Sequence, residues 1–383
     1  MTVKLYYTDA YIREFTATVS EVSAASCGYR IVLDKTAFFP EEGGQSADTG
    51  YLDTAQVLDV REEDNTIYHY TDNPLKVGDT VFGRIDFDDR FAKMQLHSAE
   101  HIISGIVHRL FGFDNVGFHL GDDEVTMDIS GVLNREELDR VEMLANSVVF
   151  ANMPVVAYFP TAEELKTLEY RSKLDLSDGI RLVKIGECDL CACCAPHVAS
   201  TGEIGLIKIL DFEKHKGGLR IYITAGKRAV LDYRAKYDSV RRISAMLSEP
   251  QISVAEGVER LLAANEELRA SLKSVRMQMA ILKAGSIEST DGNRVVFYHD
   301  MSIDELRELS NVAVERIGGL LVALTGTEGD YKYVISSREI QVSALAKDIN
   351  SQLSGRGGGR GNMIQGSFYT DIDTIRKYFE TDK

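Results

Sequence analysis

The sequence lacks long hydrophobic runs, and no stretch of its 383 residues has the apolar length needed to span a membrane. A spanning helix needs about 18 apolar residues in succession. The first residues also lack the basic start, apolar run and small-residue cleavage site of a secretion signal. We therefore expect a cytoplasmic protein without a membrane-spanning segment. No segment recurs at intervals of about 20 to 50 residues, which excludes a solenoid or propeller.

Basic residues are scarce: 43 Lys and Arg stand against 59 Asp and Glu, for a net charge of −16. Because phosphate neutralisation needs clustered Lys and Arg, this balance excludes indiscriminate binding to nucleic acid but allows a local basic patch. The hydrophobic fraction of 44% and the charged fraction of 27% are those of an ordinary globular protein. The length exceeds one ordinary core and predicts two or three domains.

Cysteines are few and unevenly placed. There are five, an odd number, and four of them lie within the seven residues 188–194. Such crowding suits a disulfide framework poorly and is typical of a metal site in a reducing compartment. The cysteine-rich segment is therefore the first candidate for a functional site.

Hydrophobic periodicity predicts an α+β protein. Short alternating runs separated by turn residues predict a small N-terminal β-barrel, and from Asp88, a candidate N-cap, apolar residues recur at helical spacing as far as Gly112. Asn134 is predicted to open a second helix. The predicted parts are a β-barrel subdomain (1–85), an α+β domain containing the metal site (86–224), a long helical coiled-coil arm (225–288) and a small C-terminal α/β domain with a glycine-rich loop (289–383).

The helical arm carries a heptad seam. Its positions alternate steps of four and three, which is the pattern of a coiled-coil contact, and Asn265 occupies one a position. Because a buried asparagine fixes register between chains, the pattern favours a homodimer, although a two-helix hairpin within one chain stays open. The seam consists of Val254, Val258, Leu261, Asn265, Leu268, Leu272, Val275, Met279 and Leu282.

Two pairs of metal-ligand residues share one spacing. His97 and His101 lie four apart on a predicted helix and project from one face, while Cys193 and His197 have the same separation in the cysteine-rich segment. Together they supply three imidazoles and a thiolate, a tetrahedral set that suits Zn²⁺. Alternatively, the histidines pair without a metal, or Cys188, Cys191 and Cys194 form a zinc knuckle or a redox pair.

Four motifs together resemble those of a known family. HSAEH (97–101) and CCAPHVASTGEIG (193–205) resemble the zinc-binding motifs of the alanyl-tRNA editing domain. FFPEEGGQSADTG (38–50) resembles the glycine-rich loop of the barrel subdomain in that family. GRGGGRGNMIQG (355–366) resembles the glycine-rich signature of the C-terminal domain of alanyl-tRNA synthetases. The order of the motifs is that of the long, freestanding form of the editing protein.

This resemblance implies a trans-acting deacylase that hydrolyses tRNA(Ala) mischarged with serine, and also with glycine. It places the zinc ligands on His97, His101, Cys193 and His197, and the acceptor end of tRNA(Ala) in the zinc pocket. The sequence departs from the family by having Glu100 where threonine is common before the second histidine. Pro196 likewise replaces a threonine before the last ligand.

Glu100 and His119 are the candidate catalytic residues. If Glu100 faces the cavity, it serves as a base for the attacking water or as a hydrogen-bond partner of the substrate amine. The alternative is an exposed helix carboxylate. His119, in GFHLG, is a candidate for lining the same pocket, with a core or surface position as the alternative.

Two glycine-rich segments are candidates for substrate binding. Gly43, Gly44 and Gln45 predict a backbone turn close to a ligand, since glycine permits positive φ and near approach; a tight barrel turn is the alternative. Arg356 and Arg360, within the C-terminal glycine run, are candidates for gripping tRNA phosphates.

Two other functions remain open, and a third is not expected. PHV followed by STG (196–202) also resembles the related editing domain of threonyl-tRNA synthetases, which would make Ser-tRNA(Thr) the substrate. A non-catalytic, zinc-stabilised tRNA-binding module is a second alternative. Full alanine–tRNA ligase activity is not expected, because no signature of an ATP-dependent catalytic domain precedes the barrel.

Overall fold

The computed structural model describes residues 2–121, 124–172 and 179–380. It divides into two compact units, 1–241 and 242–383. Helices and sheets are mixed in both units, so the predicted α+β class is confirmed. No helix among the described residues is long and apolar enough to cross a membrane.

The first unit begins with a barrel of short strands. Alternate residues of its second strand, Phe15, Ala17 and Val19, are buried, and they point into a core that the other barrel strands share. The elements are β1 (Val3–Lys4), β2 (Glu14–Ala24), β3 (Tyr29–Leu33), β4 (Lys35–Thr36), β5 (Gly50–Leu52), β6 (Ala55–Glu63), β7 (Thr66–Thr71) and β8 (Thr80–Ile85). Six of them close in the order β2-β3-β7-β6-β5-β8, and β1 pairs with β4.

Two sheets and a long helix complete the first unit. The strands form one sheet in the order β14-β15-β10-β9 and another in the order β11-β12-β13. The elements are α1 (Phe87–Phe111), β9 (Asn115–Leu120), β10 (Val125–Ile129), α2 (Arg135–Phe150), β11 (Val155–Tyr158), α3 (Ala162–Leu165), β12 (Leu182–Ile185), β13 (Asp189–Ala192), β14 (Ile207–His215), β15 (Gly218–Ala225) and α4 (Gly226–Leu247).

Helix α1 is the element that positions the site. Its N-cap is Asp86, whose side chain accepts a hydrogen bond from the Asp89 amide, so the predicted start at Asp88 is wrong by two residues. It ends as predicted at Gly112, whose φ of 70° is the left-handed conformation that glycine adopts readily. The helix is buried along most of its length, so the side chains on its middle turns are held in fixed positions. Asn134 caps α2 as predicted.

The second unit holds the end of α4, a further long helix and a five-stranded sheet. Strand order is β16-β17-β18-β20-β19, with β16 and β17 parallel and the other pairs antiparallel. The elements are α5 (Val254–Gly285), β16 (Arg294–Phe297), α6 (Ile303–Ala313), β17 (Leu321–Thr327), β18 (Asp330–Ser336), α7 (Val342–Gln352), β19 (Gly355–Arg360), β20 (Met363–Phe368) and α8 (Ile372–Glu380).

The C-terminal glycine run is a β-strand and not the predicted loop. Gly357 pairs with Gly366 of β20, and a Cβ on Gly357 would lie 2.3 Å from the Tyr333 hydroxyl oxygen. The missing side chains therefore let β19 approach the stacked rings of Tyr333 and Phe368. The glycines looked like loop residues because their role depends on a neighbouring strand.

Most of the seam side chains on α5 are exposed. Near the C-terminal end of the helix, Ala280 and Ala284 are buried against the α6 side of the sheet. By contrast, Leu261 is 58% exposed and Leu268 69% exposed. The described residues of the chain thus leave the middle of the seam open to solvent.

Candidate metal centre

Helix α1 and the segment after β13 bring four metal-ligand side chains together. His97 and His101 occupy successive turns of α1, and Cys193 and His197 follow β13. One donor atom from each of the four lies within 4.8 Å of the others. All three imidazoles are almost fully buried. The four residues paired by their spacing in the sequence therefore form one cluster.

The donor distances fit a tetrahedral zinc ion. Bond lengths of about 2.3 Å to sulfur and about 2.0 Å to nitrogen, at a tetrahedral angle, put sulfur and nitrogen about 3.5 Å apart. The Cys193 Sγ lies 3.6 Å from His97 Nε2 and 3.3 Å from His197 Nε2. A thiolate and three imidazoles are also ligands that zinc prefers. This cluster can hold a metal ion with little rearrangement of the protein.

Each histidine of the cluster is anchored through its other ring nitrogen. His97 Nδ1 lies 2.9 Å from Gln45 Oε1, and His101 Nδ1 lies 3.0 Å from Asp189 Oδ2. His197 Nδ1 lies 3.1 Å from Ser98 Oγ. Because the amide and carboxylate oxygens only accept, they favour the proton on Nδ1 and leave Nε2 as the donor atom toward a metal.

The charges of the cluster favour a thiolate at Cys193. Burial raises the pKa of Cys193, but the neighbouring His97 and His197 outweigh it, so this pKa lies well below its ordinary value. Burial lowers the pKa of His197 to about 3. For His101 burial also lowers the pKa, but Cys191, Asp189 and Cys193 raise it well above its ordinary value. Metal binding requires deprotonated ligands, and the lowered pKa of Cys193 favours that form of the thiol.

The other three cysteines of this segment differ from Cys193. Burial raises the pKa of Cys188 and of Cys191 to about 11, and it raises that of Cys194 further. All are free thiols. Among the described residues, no group of potential ligands combines Cys188, Cys191 and Cys194. The alternative zinc knuckle therefore has no preformed geometry.

The segment that carries Cys193 is fixed by backbone contacts. Arg181 Nη1 donates to the carbonyl oxygens of Cys193 and Ala195, at 3.0 and 2.9 Å. The Cys193 amide donates in turn to the Arg181 carbonyl at 3.0 Å. These contacts set the direction of the thiol, and the stiff Pro196 leads on to His197.

A cavity of about 500 Å³ opens beside the cluster. His97, His101 and Cys193 line it, so the metal ligands form part of its wall. A ligand in this cavity would lie next to the metal. Other parts of the wall are Tyr7, Glu42, Gly43, Gly44, Glu100 and Phe118.

The glycine-rich loop of the barrel forms one side of this cavity. Gly43 and Gly44 have φ values of 63° and 83°, and a Cβ on Gly44 would lie 2.3 Å from the Phe118 carbonyl oxygen. The tight turn is therefore present, and the close approach at Gly44 is to the backbone of Phe118; the predicted approach to a ligand stays a prediction. Gln45 lies behind them, fully buried, with its side chain on His97.

A buried ion pair and a lysine hydrogen bond tie the same loop to α1. The Asp48 carboxylate accepts from the Phe39 amide at 2.6 Å and from the Arg90 guanidinium, and both Asp48 and Arg90 are fully buried. Lys93 Nζ donates to the Ala47 carbonyl at 2.7 Å. The helix that carries the histidines thus also fixes the loop opposite them.

Glu100 lines the cavity and is 2% exposed, so the alternative of an exposed helix carboxylate is wrong. Its Oε1 accepts from Ser104 Oγ at 2.5 Å and from Asn115 Nδ2. Its Oε2 lies 3.9 Å from His101 Nε2. Two neighbours therefore orient a carboxylate beside the cluster.

The structure does not bring every predicted site residue here. His119 is exposed and is not among the described residues that line the cavity; this is a correction. Side chains alternate along β9, and Phe118 faces the site with its ring centroid 4.9 Å from that of His97. Arg356 and Arg360 lie on β19 in the other unit, exposed to solvent.

Several residues of the site carried no sequence signal. Ser98, Arg171 and Asp189 have contacts that only the folded chain brings together, across 99 residues for Ser98 and 88 for Asp189.

Three family models match this chain in the order of its parts. Residues 4–89 match class II (A) tRNA synthetases, and residues 180–222 match the second additional domain of threonyl and alanyl tRNA synthetases. Residues 291–381 match the DHHA1 domain. The second match contains Cys193 and His197. The matches lie in the barrel, in the site and in the C-terminal sheet.

Curated relatives extend the match over nearly the whole chain. The alanyl-tRNA editing protein AlaX-L of Pyrococcus horikoshii is 29% identical over 96% of this chain and 94% of its own length. The alanine–tRNA ligase of Pyrococcus abyssi is 33% identical over 98% of this chain. The chain spans only 43% of that ligase. Together, the full-length match and the three domain matches show that this chain is similar to the alanyl-tRNA editing protein AlaX-L and to the corresponding part of alanine–tRNA ligases.

Proposed function

We propose that this protein is a zinc-containing, trans-acting aminoacyl-tRNA deacylase that hydrolyses Ser-tRNA(Ala), and Gly-tRNA(Ala) as a second substrate. The observation that carries the proposal is the convergence of three imidazoles and a thiolate on the wall of a cavity. The relative AlaX-L, named as an alanyl-tRNA editing protein, supports the choice of substrate. The cavity volume of about 500 Å³ suits a small aminoacyl group with its terminal ribose.

His97, His101, Cys193 and His197 would hold the zinc ion. Bound zinc supplies positive charge beside the aminoacyl ester. Since these four residues fill a tetrahedral site, we propose that their main role is to organise the pocket. The glycine turn at Gly43 and Gly44 admits the substrate because it has no side chains.

Glu100 is proposed to act on water or on the substrate amine. Ser104 and Asn115 hold its carboxylate at the cavity wall. As a base it takes the proton of the water that attacks the ester carbonyl, and it returns that proton to the ribose oxygen as the bond between this oxygen and the carbonyl carbon breaks. As an ion-pair partner it binds the α-ammonium group and orients the ester. A threonine at this position would have no negative charge and could not play either role. Glu100 therefore makes this pocket different from the common family pattern.

Contacts with the tRNA body are proposed for Arg356 and Arg360. Both are exposed on the glycine strand β19 and, among the described residues, neither has an ion-pair partner. A guanidinium on a strand without bulky side chains can approach a phosphate closely. The acceptor end of tRNA(Ala) would enter the zinc pocket.

We also propose a homodimer through the seam of α5. Its exposed leucines and valines present more apolar surface than is usual for a helix in water. A second copy of the same seam would cover them and pair the two Asn265 residues.

The proposal is tested by deacylation of a panel of charged tRNAs. Ser-tRNA(Ala) should be hydrolysed fastest, Gly-tRNA(Ala) more slowly, and Ala-tRNA(Ala) and Ser-tRNA(Thr) least. Faster hydrolysis of Ser-tRNA(Thr) would assign the protein to threonyl-tRNA editing. Binding without hydrolysis would identify a tRNA-binding module, and alanine-dependent exchange between ATP and pyrophosphate would reveal a ligase.

A further inference from the structure

The three anchors behind the histidines are chemically unequal. Gln45 offers a neutral amide oxygen and Ser98 a neutral hydroxyl, whereas Asp189 offers a carboxylate. A carboxylate behind a ligand histidine increases the electron density on the nitrogen that faces the metal. Of the three, His101 therefore has the strongest support.

Close packing of α1 on β13 makes this contact. Asp189 begins β13, and Gly105 of α1 lies one turn after His101. A Cβ on Gly105 would lie 2.6 Å from the Cys188 carbonyl oxygen and 3.0 Å from Asp189 Cβ. Glycine thus lets the strand come near enough for the carboxylate to reach the imidazole. Cys193 directly follows the same strand, so β13 positions both a metal ligand and the outer partner of another ligand.

Arg171 completes the arrangement. Its Nε donates to Asp189 Oδ1 at 2.7 Å and its Nη2 to Oδ2 at 2.8 Å, a two-armed contact with a carboxylate that is 2% exposed. A buried carboxylate needs such a counter-ion. Arg171 also lines the 500 Å³ cavity, and with Asp189 it lines a second cavity of about 830 Å³.

We propose that Asp189 is a positioning residue, which fixes the orientation and protonated nitrogen of His101 and strengthens its bond to the metal, with Arg171 as its counter-ion. The inference rests on the proposed metal site. His101, Asp189 and Cys191 also lie close enough to form a metal group of their own. The Arg171 guanidinium on Asp189 repels a second cation. The carboxylate of Asp189 therefore acts on the first metal site through His101 and does not bind a metal itself.

The test is the zinc affinity of Asp189→Asn, measured by competition with a chelator. Loss of an outer partner of this kind costs about 10- to 100-fold in metal affinity. The chain supplies a matched control, because Arg220 contacts Asp128 with the same fork, at 2.7 and 2.8 Å, away from the cluster. Asp128→Asn should bind zinc like the wild type. Wild-type affinity in Asp189→Asn, or equal weakening in Asp128→Asn, would overturn the proposal.

A measurement on the unmodified protein avoids dependence on a variant that fails to fold. In the zinc-loaded chain, nitrogen-15 spectra of the histidines should show His101 with its proton on Nδ1 and with Nε2 bound to the metal. A proton at Nε2 would refute the role of Asp189. Wild-type protein that binds no zinc would overturn the metal site as well, whereas zinc binding with an unchanged Asp189→Asn affinity would overturn only this inference.

Discussion

The histidine–cysteine cluster and the glycine–arginine hairpin (β19–β20) are built in opposite ways. The cluster is buried, and each imidazole has an outer partner before any ligand arrives. The hairpin presents exposed arginines on a strand of glycines, with no ion pairs to Arg356 or Arg360 in the described part of the chain. In the cluster each imidazole already has a hydrogen-bond partner within the protein, whereas the arginines of the hairpin face solvent.

This difference teaches which kind of interaction each region suits. Inside a protein, hydrogen-bonded networks are strong when complete and costly when one member is removed. Exposed charges are weaker and are screened by salt. The cluster should therefore respond sharply to single side-chain changes and little to ionic strength, and the hairpin should behave in the reverse way.

The largest effect is expected for Cys193→Ala. Removing the thiolate should lower the zinc content from one per chain to background, and hydrolysis of Ser-tRNA(Ala) should fall by more than about 100-fold, since even outer-partner changes cost about 10- to 100-fold in activity. Metal analysis and single-turnover hydrolysis measure the two results. Cys188→Ala, a buried thiol in the same segment, is the matched control and should keep its zinc. Zinc lost from the control but held by Cys193→Ala would place the metal on the other cysteines.

A smaller loss is expected for Glu100→Gln. The amide keeps the shape of the side chain and its contact with Ser104, but it can neither take a proton nor pair with an ammonium group. Hydrolysis should fall about 100-fold, at the lower end for a general base, while zinc content stays at one per chain. Glu142→Gln tests a partly buried carboxylate outside the site, paired with Lys208, and should leave the rate unchanged. Full activity in Glu100→Gln would remove this residue from the mechanism.

The paired change Arg356→Gln and Arg360→Gln should act through binding alone. Each lost phosphate contact should reduce the slope of log affinity against log salt by about 1, and KM should rise several-fold with kcat unchanged. Arg307→Gln removes an exposed arginine on α6 of the same unit and serves as the control. An unchanged KM and salt slope would show that the hairpin does not contact tRNA.

The smallest effect on hydrolysis is expected from Leu261→Glu with Leu268→Glu. Each exposed leucine that a partner covers contributes about 1.5 to 3 kcal/mol before entropy is subtracted, so the charges should convert dimers to monomers in analytical ultracentrifugation. Zinc content and kcat should not change, because neither residue is near the cluster's ligands in the sequence. Wild-type protein that sediments as a monomer at micromolar concentrations would rule out the dimer.

The sequence predicts this molecule best where a pattern is local. Asn134 marks a helix start because capping depends on three neighbouring residues, and His97 with His101 share a face because helix geometry fixes a separation of four. The start of α1 lies two residues before the predicted one, since Asp86, Asp88 and Asp89 can each cap a helix. Local patterns thus located the elements to within about a turn.

What depends on the fold itself was out of reach. Asp189 and Gln45 meet their histidines only after the strand and the loop have packed on α1. The glycines of β19 appeared to be a loop because the ring of Tyr333 that they accommodate belongs to another strand. Neighbouring side chains of β9 lie on opposite faces of the sheet, so only one of Phe118 and His119 can face the site. The packing of the sheet, which the sequence does not reveal, puts Phe118 there and His119 on the other face.

The most direct measurement is hydrolysis of Ser-tRNA(Ala) by the metal-free wild-type protein as zinc is added back. If the four side chains form the working site, activity should rise with zinc and level off at one equivalent per chain, while KM for tRNA stays nearly constant because the hairpin does not need the metal. Full activity of the metal-free protein, or a plateau reached at a different stoichiometry, would contradict this.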